Sequence, residues 1–170
     1  AVHIELGNEI WQSAYSMFPS SLYALNQGKL EVASNTVDGA ILNYDGKFSA
    51  GDDYCKKRRF LVVRSVRCSD AFRGVFGDEG MGSRVRMLLE QQYNNILGNC
   101  YYAYRFLDGY FNNADGLHVT NPHPVRYYLW GGGGATYYGM GDPSGNQTNI
   151  VFSDPEFASP VVPDGSTIPG

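Results

Sequence analysis

The sequence predicts an α+β fold, with helices over 9–18 and 83–98 packed on a mainly antiparallel sheet. Three observations predict it. Apolar residues recur at helical spacing in Ile10, Trp11, Ala14, Tyr15 and Phe18; Asp45-Gly46 stands between two apolar runs; and Phe60 to Val66 is a β-branched, almost wholly apolar run. The 170 residues suit one domain, and 43% apolar with 18% charged residues is a globular composition.

Asn8 is placed to cap the first helix, and Pro19 to end it. Ser20 opens a short second helix through Leu25 that Gly28 closes. Leu30 to Ala33 reads as a strand. Ala40 to Tyr44 and Lys47 to Ala50 read as the arms of a hairpin, because both central residues of a type I′ turn need positive φ and Asp-Gly supplies them. Phe60 to Val66 reads as a central strand, with Arg64 and Arg67 at its polar face or end.

A glycine-rich turn over 77–82 leads to the second main helix, capped by Ser83. Its stripe is Val85, Leu88, Leu89, Ile96 and Leu97, and Gly98 stops it. The aromatic run from Tyr101 to Phe111 fits a helix or a strand equally. Val125 to Trp130, Ala135 to Tyr138 and Asn149 to Phe152 read as strands. One globular domain is expected over 1–152. An extended Pro/Gly tail, 153–170, is expected to be pinned on that domain or on a partner. No run approaches the ~20 apolar residues of a membrane-spanning helix, so membrane insertion is not expected. No charged-then-apolar N-terminus marks a signal peptide.

The net charge of −4 conceals three blocks. Residues 1–55 sum to −5, residues 56–86 to +6 and residues 87–170 to −5. Opposed blocks can meet across a subunit boundary or steer an anionic partner. The basic block, Lys56, Lys57, Arg58, Arg59, Arg64, Arg67 and Arg73, is therefore a candidate partner-binding surface. Thirteen Tyr and four Lys describe a surface suited to fixed contacts, with Tyr101, Tyr102, Tyr104, Tyr127 and Tyr137 as aromatic candidates. Tyr doublets at 101–102, 127–128 and 137–138 would point to both faces of a strand, so both faces would need cover.

Catalytic signatures are missing. The four glycines at 131–134 lack GxGxxG and GK[ST], and a wide turn or close approach of another backbone suits them better than a phosphate loop. Asp115, His118 and His123 are the nearest approach to metal or acid–base chemistry. Pro122 and Pro124 break the helix that would align the two histidines, and no zinc spacing or GxSxG occurs.

Tyr93 to Tyr102, YNNILGNCYY, resembles over ten residues the helix motif of phycobilisome rod linker proteins, in which a Tyr, an apolar pair and Gly-Asn stand in similar order. The resemblance draws attention to three cysteines. Cys55 lies near Asp53 and Arg58, Cys68 near Arg67 and Asp70, and Cys100 near Arg105 and Asp108. A covalently attached bilin would use such sets, the Arg for its propionates and the carboxylate for its pyrrole N–H groups. The reading that follows is a non-catalytic assembly subunit that contacts other protein subunits or copies of itself. A nucleic-acid-binding module using residues 56–86 and a bilin-bearing linker of a light-harvesting assembly are the alternatives.

Overall fold

One long helix organises the chain. The computed structural model describes residues 1–7, 9–12, 17–48, 52–90 and 102–133. Strand β1 (Val2–Ile4) is followed by helices α1 (Pro19–Ala33), α2 (Val37–Leu42) and α3 (Asp53–Gly80). Strand β2 (Val85–Glu90), a π-helical segment (Leu107–Phe111), the short helix α4 (Val125–Tyr128) and strand β3 (Gly131–Gly133) complete the order.

The mixed helix-and-strand class matches the sequence, but the strand directions differ. Both ladders are parallel, pairing Val2 with Val85 and Leu88 with Gly131. Parallel neighbours need long crossovers, and α1, α2 and α3 supply the one between β1 and β2.

Helix α3 replaces the central strand expected over Phe60 to Val66. An uninterrupted apolar run reads alike as a buried strand or as a helix covered on all sides, and here it is the helix. Phe60, Leu61, Val62, Val63 and Val66 are all buried, in one cluster with Leu42, Met87, Leu89, Phe106 and Leu107. The helix breaks at Gly77 (φ 67°), inside the glycine-rich turn expected there.

Residues 83–90 are the converse case. Val85, Met87 and Leu89 are buried and alternate with half-buried Arg86, Leu88 and Glu90, so the period is two and the segment is a strand, not the start of a helix. The remainder of the expected 83–98 helix, 91–98, lies outside the described residues.

At the N-terminal end, residues 9–12 are turns instead of the opening of a helix. Pro19 starts α1 where it was expected to stop one, because a residue without an N–H is tolerated in the first helical turn. The helix continues through Gly28 and over Leu30 to Ala33, which was read as a strand. Asn35 (φ 50°) reverses the chain, and Thr36 caps α2 by accepting the Gly39 N–H at 2.9 Å. Helix α2 occupies one arm of the expected hairpin, and Asp45-Gly46 is a turn that follows it. Val125 to Tyr128 is helical, so Tyr127 and Tyr128 are neighbours on a short helix and not on opposite strand faces.

Gly131–Gly133 forms β3, and at Gly132 the expected close approach is present. A methyl group there would lie 3.2 Å from the Leu89 carbonyl oxygen and would collide with the Tyr104 hydroxyl. Segments 134–152 and the 153–170 tail lie outside the described residues. Among those described, no helix is long and apolar enough to cross a membrane.

Helices α1 and α3 pack at close range because Gly28 has no side chain. A β-carbon there would sit 2.8 Å from the Lys56 carbonyl oxygen, a backbone atom that cannot swing aside. Gly28→Ala is expected to lower unfolding stability by ~1–3 kcal/mol in urea titration, the usual cost of overpacking. Gly74→Ala, on helix α3 with open space around it, is expected to be neutral or to stabilise by up to ~1 kcal/mol. Equal effects at both sites would contradict this packing.

Candidate functional site

The middle of the basic block faces inward. Lys57 and Arg58 are fully buried and Arg59 nearly so. Successive helical residues point ~100° apart, so the three cations reach three different neighbours. The Lys57 ammonium donates to the Trp11 carbonyl (3.0 Å), the Gln12 carbonyl (2.8 Å) and Ser21 Oγ (3.0 Å). Arg58 donates to the Trp11 carbonyl and to the Tyr54 hydroxyl, and its guanidinium lies 4.7 Å from the Tyr54 ring centre.

Arg59 clamps the segment after α2. It donates to the Leu42 carbonyl (2.7 Å) and, through both terminal nitrogens, to the Asp45 carboxylate (3.0 and 2.8 Å). The Asp-Gly dipeptide thus serves as the counterion of a buried arginine. Burial alone would push the Asp45 carboxyl up, but the bonds and charge of Arg59 outweigh it and hold the group below the usual carboxylate range. The Tyr44, Phe48 and Phe106 rings surround the guanidinium at 5.4, 4.8 and 5.1 Å.

Beside this clamp opens a cleft of about 650 Å³. The loop over 44–48 forms one wall and the helical turn over 102–106 another. The first turns of α3 form the floor with Asp52, Cys55 and Arg59, and Asp115 and His118 close one end. Cys55 and Arg59, four residues apart, share one face of the helix. The Tyr44 hydroxyl donates to Asp115 Oδ2 at 2.5 Å, and burial followed by that bond raises its pKa.

Gly109 makes this bond possible. A β-carbon there would stand 2.5 Å from Asp115 Oδ2 and 2.8 Å from the Tyr44 hydroxyl. Asn113 (φ 57°) holds the following loop by accepting the His118 and Val119 N–H groups at 2.8 and 3.0 Å. The His118 ring stacks on Tyr110 (centroids 5.4 Å, 11°) and meets the edge of Tyr44 at 4.8 Å. His118 Nε2 is shielded from solvent without a hydrogen-bond partner among the described residues.

The other expected site residues divide as follows. Lys56 bonds Asp53, Arg67 pairs with Asp38, and Arg73 pairs with Asp78 and donates to the Tyr127 carbonyl. Arg64 is exposed. Tyr102 lines the cleft, and Tyr104 donates to the Leu89 carbonyl at 3.0 Å. Tyr127 takes Arg73 against its ring at 3.6 Å and stacks with His123 at 3.7 Å. No group of three or more metal-ligating side chains occurs among the described residues.

Of the cysteines, Cys55 is buried at the cleft, and burial pushes its thiol up to about 11. Of the residues expected around it, Asp53 pairs with Lys29 and Lys56, and Arg58 donates to the Trp11 carbonyl. Cys68 is half-buried. Cys100, Tyr101, Tyr137 and all of Tyr93 to Tyr102 except Tyr102 lie outside the described residues. Sequence reasoning missed Tyr44, Phe48 and Phe106 as site residues; Tyr44 and Phe48 flank the Asp-Gly turn, and Phe106 lies in the aromatic run 101–111. No family model, curated protein or solved structure matches the chain.

Burial, followed by the neighbouring Arg58 charge, pushes the Lys57 ammonium down to about 7 from its ordinary 10.5. Between those values the unfolded chain keeps a proton that the folded chain has shed, so this group makes stability rise with pH across that window. Cys55 acts oppositely above about pH 9, where only the unfolded thiol ionises. Urea midpoints should therefore climb between about pH 7 and 9, and Lys57→Met should remove the climb. If that variant does not fold, a flat or falling wild-type profile would itself contradict the assignment.

Proposed function

We propose that the chain is a non-catalytic assembly subunit that docks on other protein subunits, copies of itself included, through the outer face of α1. The observation that carries this reading is the orientation of that helix. Against α3 it buries only small residues, Ser21, Ala24 and Gly28. Outward it presents Leu22, Tyr23 and Leu30, which are 39%, 61% and 55% exposed, with Val37 of α2 79% exposed. Tyr23 and Leu30, two turns apart, fall on one stripe. Large apolar side chains grouped on an open face favour cover by another protein surface.

The state of the basic block supports docking on protein over nucleic acid. Of its seven named cations, two are fully buried and four pair with carboxylates, Lys56 with Asp53, Arg59 with Asp45, Arg67 with Asp38 and Arg73 with Asp78. A phosphate backbone needs several available cations, and within 56–86 only Arg64, Arg84 and Arg86 are neither fully buried nor paired with a carboxylate among the described residues.

Sedimentation velocity over a rising concentration series tests the reading. The wild-type chain should associate, and Tyr23→Ser with Leu30→Ser should shift it to monomer while its unfolding free energy from urea titration stays within about 0.5 kcal/mol of wild type, as for surface positions. A wild-type chain that remains monomeric at the highest concentration would overturn it.

A further inference from the structure

We propose that the cleft between the 44–48 loop and the 102–106 turn is a binding site for a small, flat, ring-bearing anion. Its volume of about 650 Å³ lies within the ~300–1,000 Å³ of small-molecule pockets. Aromatic rings from two separate segments, Tyr44 and Phe48 on one and Tyr102 and Phe106 on the other, line it. A planar ligand can lie against such rings by offset or edge contact, each worth ~0.5–1.5 kcal/mol beyond burial.

The sign of the ligand's charge follows from which groups are already engaged. Asp45 is held by Arg59, and Asp115 accepts the Tyr44 hydroxyl. A cation entering the cleft would meet Lys47, Arg59 and Arg105 in its lining and three carboxylates, Asp45, Asp52 and Asp115, each already engaged. An anion would meet Lys47, exposed at the rim, whose ammonium makes no ion pair among the described residues. None of these groups belongs to the outer face of α1, and the inference stands apart from the assembly reading.

Anilinonaphthalene sulfonate, a flat aromatic anion whose fluorescence rises on binding, is the probe. Titration into the wild-type chain should saturate at one site. Lys47→Glu should weaken it roughly fivefold or more, as reversal of one exposed charge contact implies, and Phe48→Ala should weaken it further. Lys47 is exposed, so its variant should keep the wild-type urea midpoint. An uncharged anilinonaphthalene should bind more weakly than the sulfonate and should not respond to Lys47→Glu. Tyr23→Ser with Leu30→Ser should leave the titration unchanged. Non-saturable binding, indifference to Lys47→Glu, or loss of binding in the α1 variant would each overturn the proposal.

Discussion

Three consecutive cations in the interior of one helix set the constraint on which the rest of this structure depends. A buried charge without partners is among the costliest features a fold can contain. Lys57, Arg58 and Arg59 avoid that cost by drawing a different segment onto each side of α3. The Trp11–Gln12 turn and Ser21 meet Lys57, Trp11 and Tyr54 meet Arg58, and the end of α2 with Asp45 meets Arg59. The helix is thereby enclosed near its N-terminal end, and an uninterrupted apolar run from Phe60 to Val63 can follow it. The same residue types that would ordinarily mark a solvated face here specify which neighbours pack where.

That inversion explains how much was legible in the sequence. The mixed α+β class was, as were the glycine-rich break near 77–82 and the tight contact among the glycines at 131–134. Element types went wrong where tertiary packing overrode local pattern. Phe60 to Val66 has strand-like side chains, yet its period is set by being covered all round. Val85 to Glu90 has a strand period that the longer spacing to Ile96 and Leu97 obscured. Pro19 has two meanings at a helix end, and only the chain around it decides between them.

The cleft was partly readable. Asp115 and His118 stood out by residue type, but their partner, Tyr44, lies 71 residues from Asp115 in the chain. It reaches that carboxylate only because Arg59 fixes the 44–48 loop and Gly109 leaves the space open. No local signal encodes such a meeting. The expectation for Lys57 and Arg58 erred for a related reason, since long cationic side chains are rarely buried whole and composition alone argues for the surface.

The buried ammonium and the open apolar face on α1 are linked by geometry. For Lys57 to reach Ser21 Oγ and the carbonyls before α1, that helix must lie close against α3, with Gly28 over the Lys56 backbone. At that separation only Ser21, Ala24 and Gly28 fit between the helices. Leu22, Tyr23 and Leu30 have no room on the inner side and stand outward, where the proposed docking would cover them. A chain selected only to fold alone could place polar residues at those outer positions without disturbing the α1–α3 contact. Their apolar character therefore has no origin in the packing beneath them, and it is this mismatch between a satisfied interior and an uncovered exterior that an adjoining subunit would resolve.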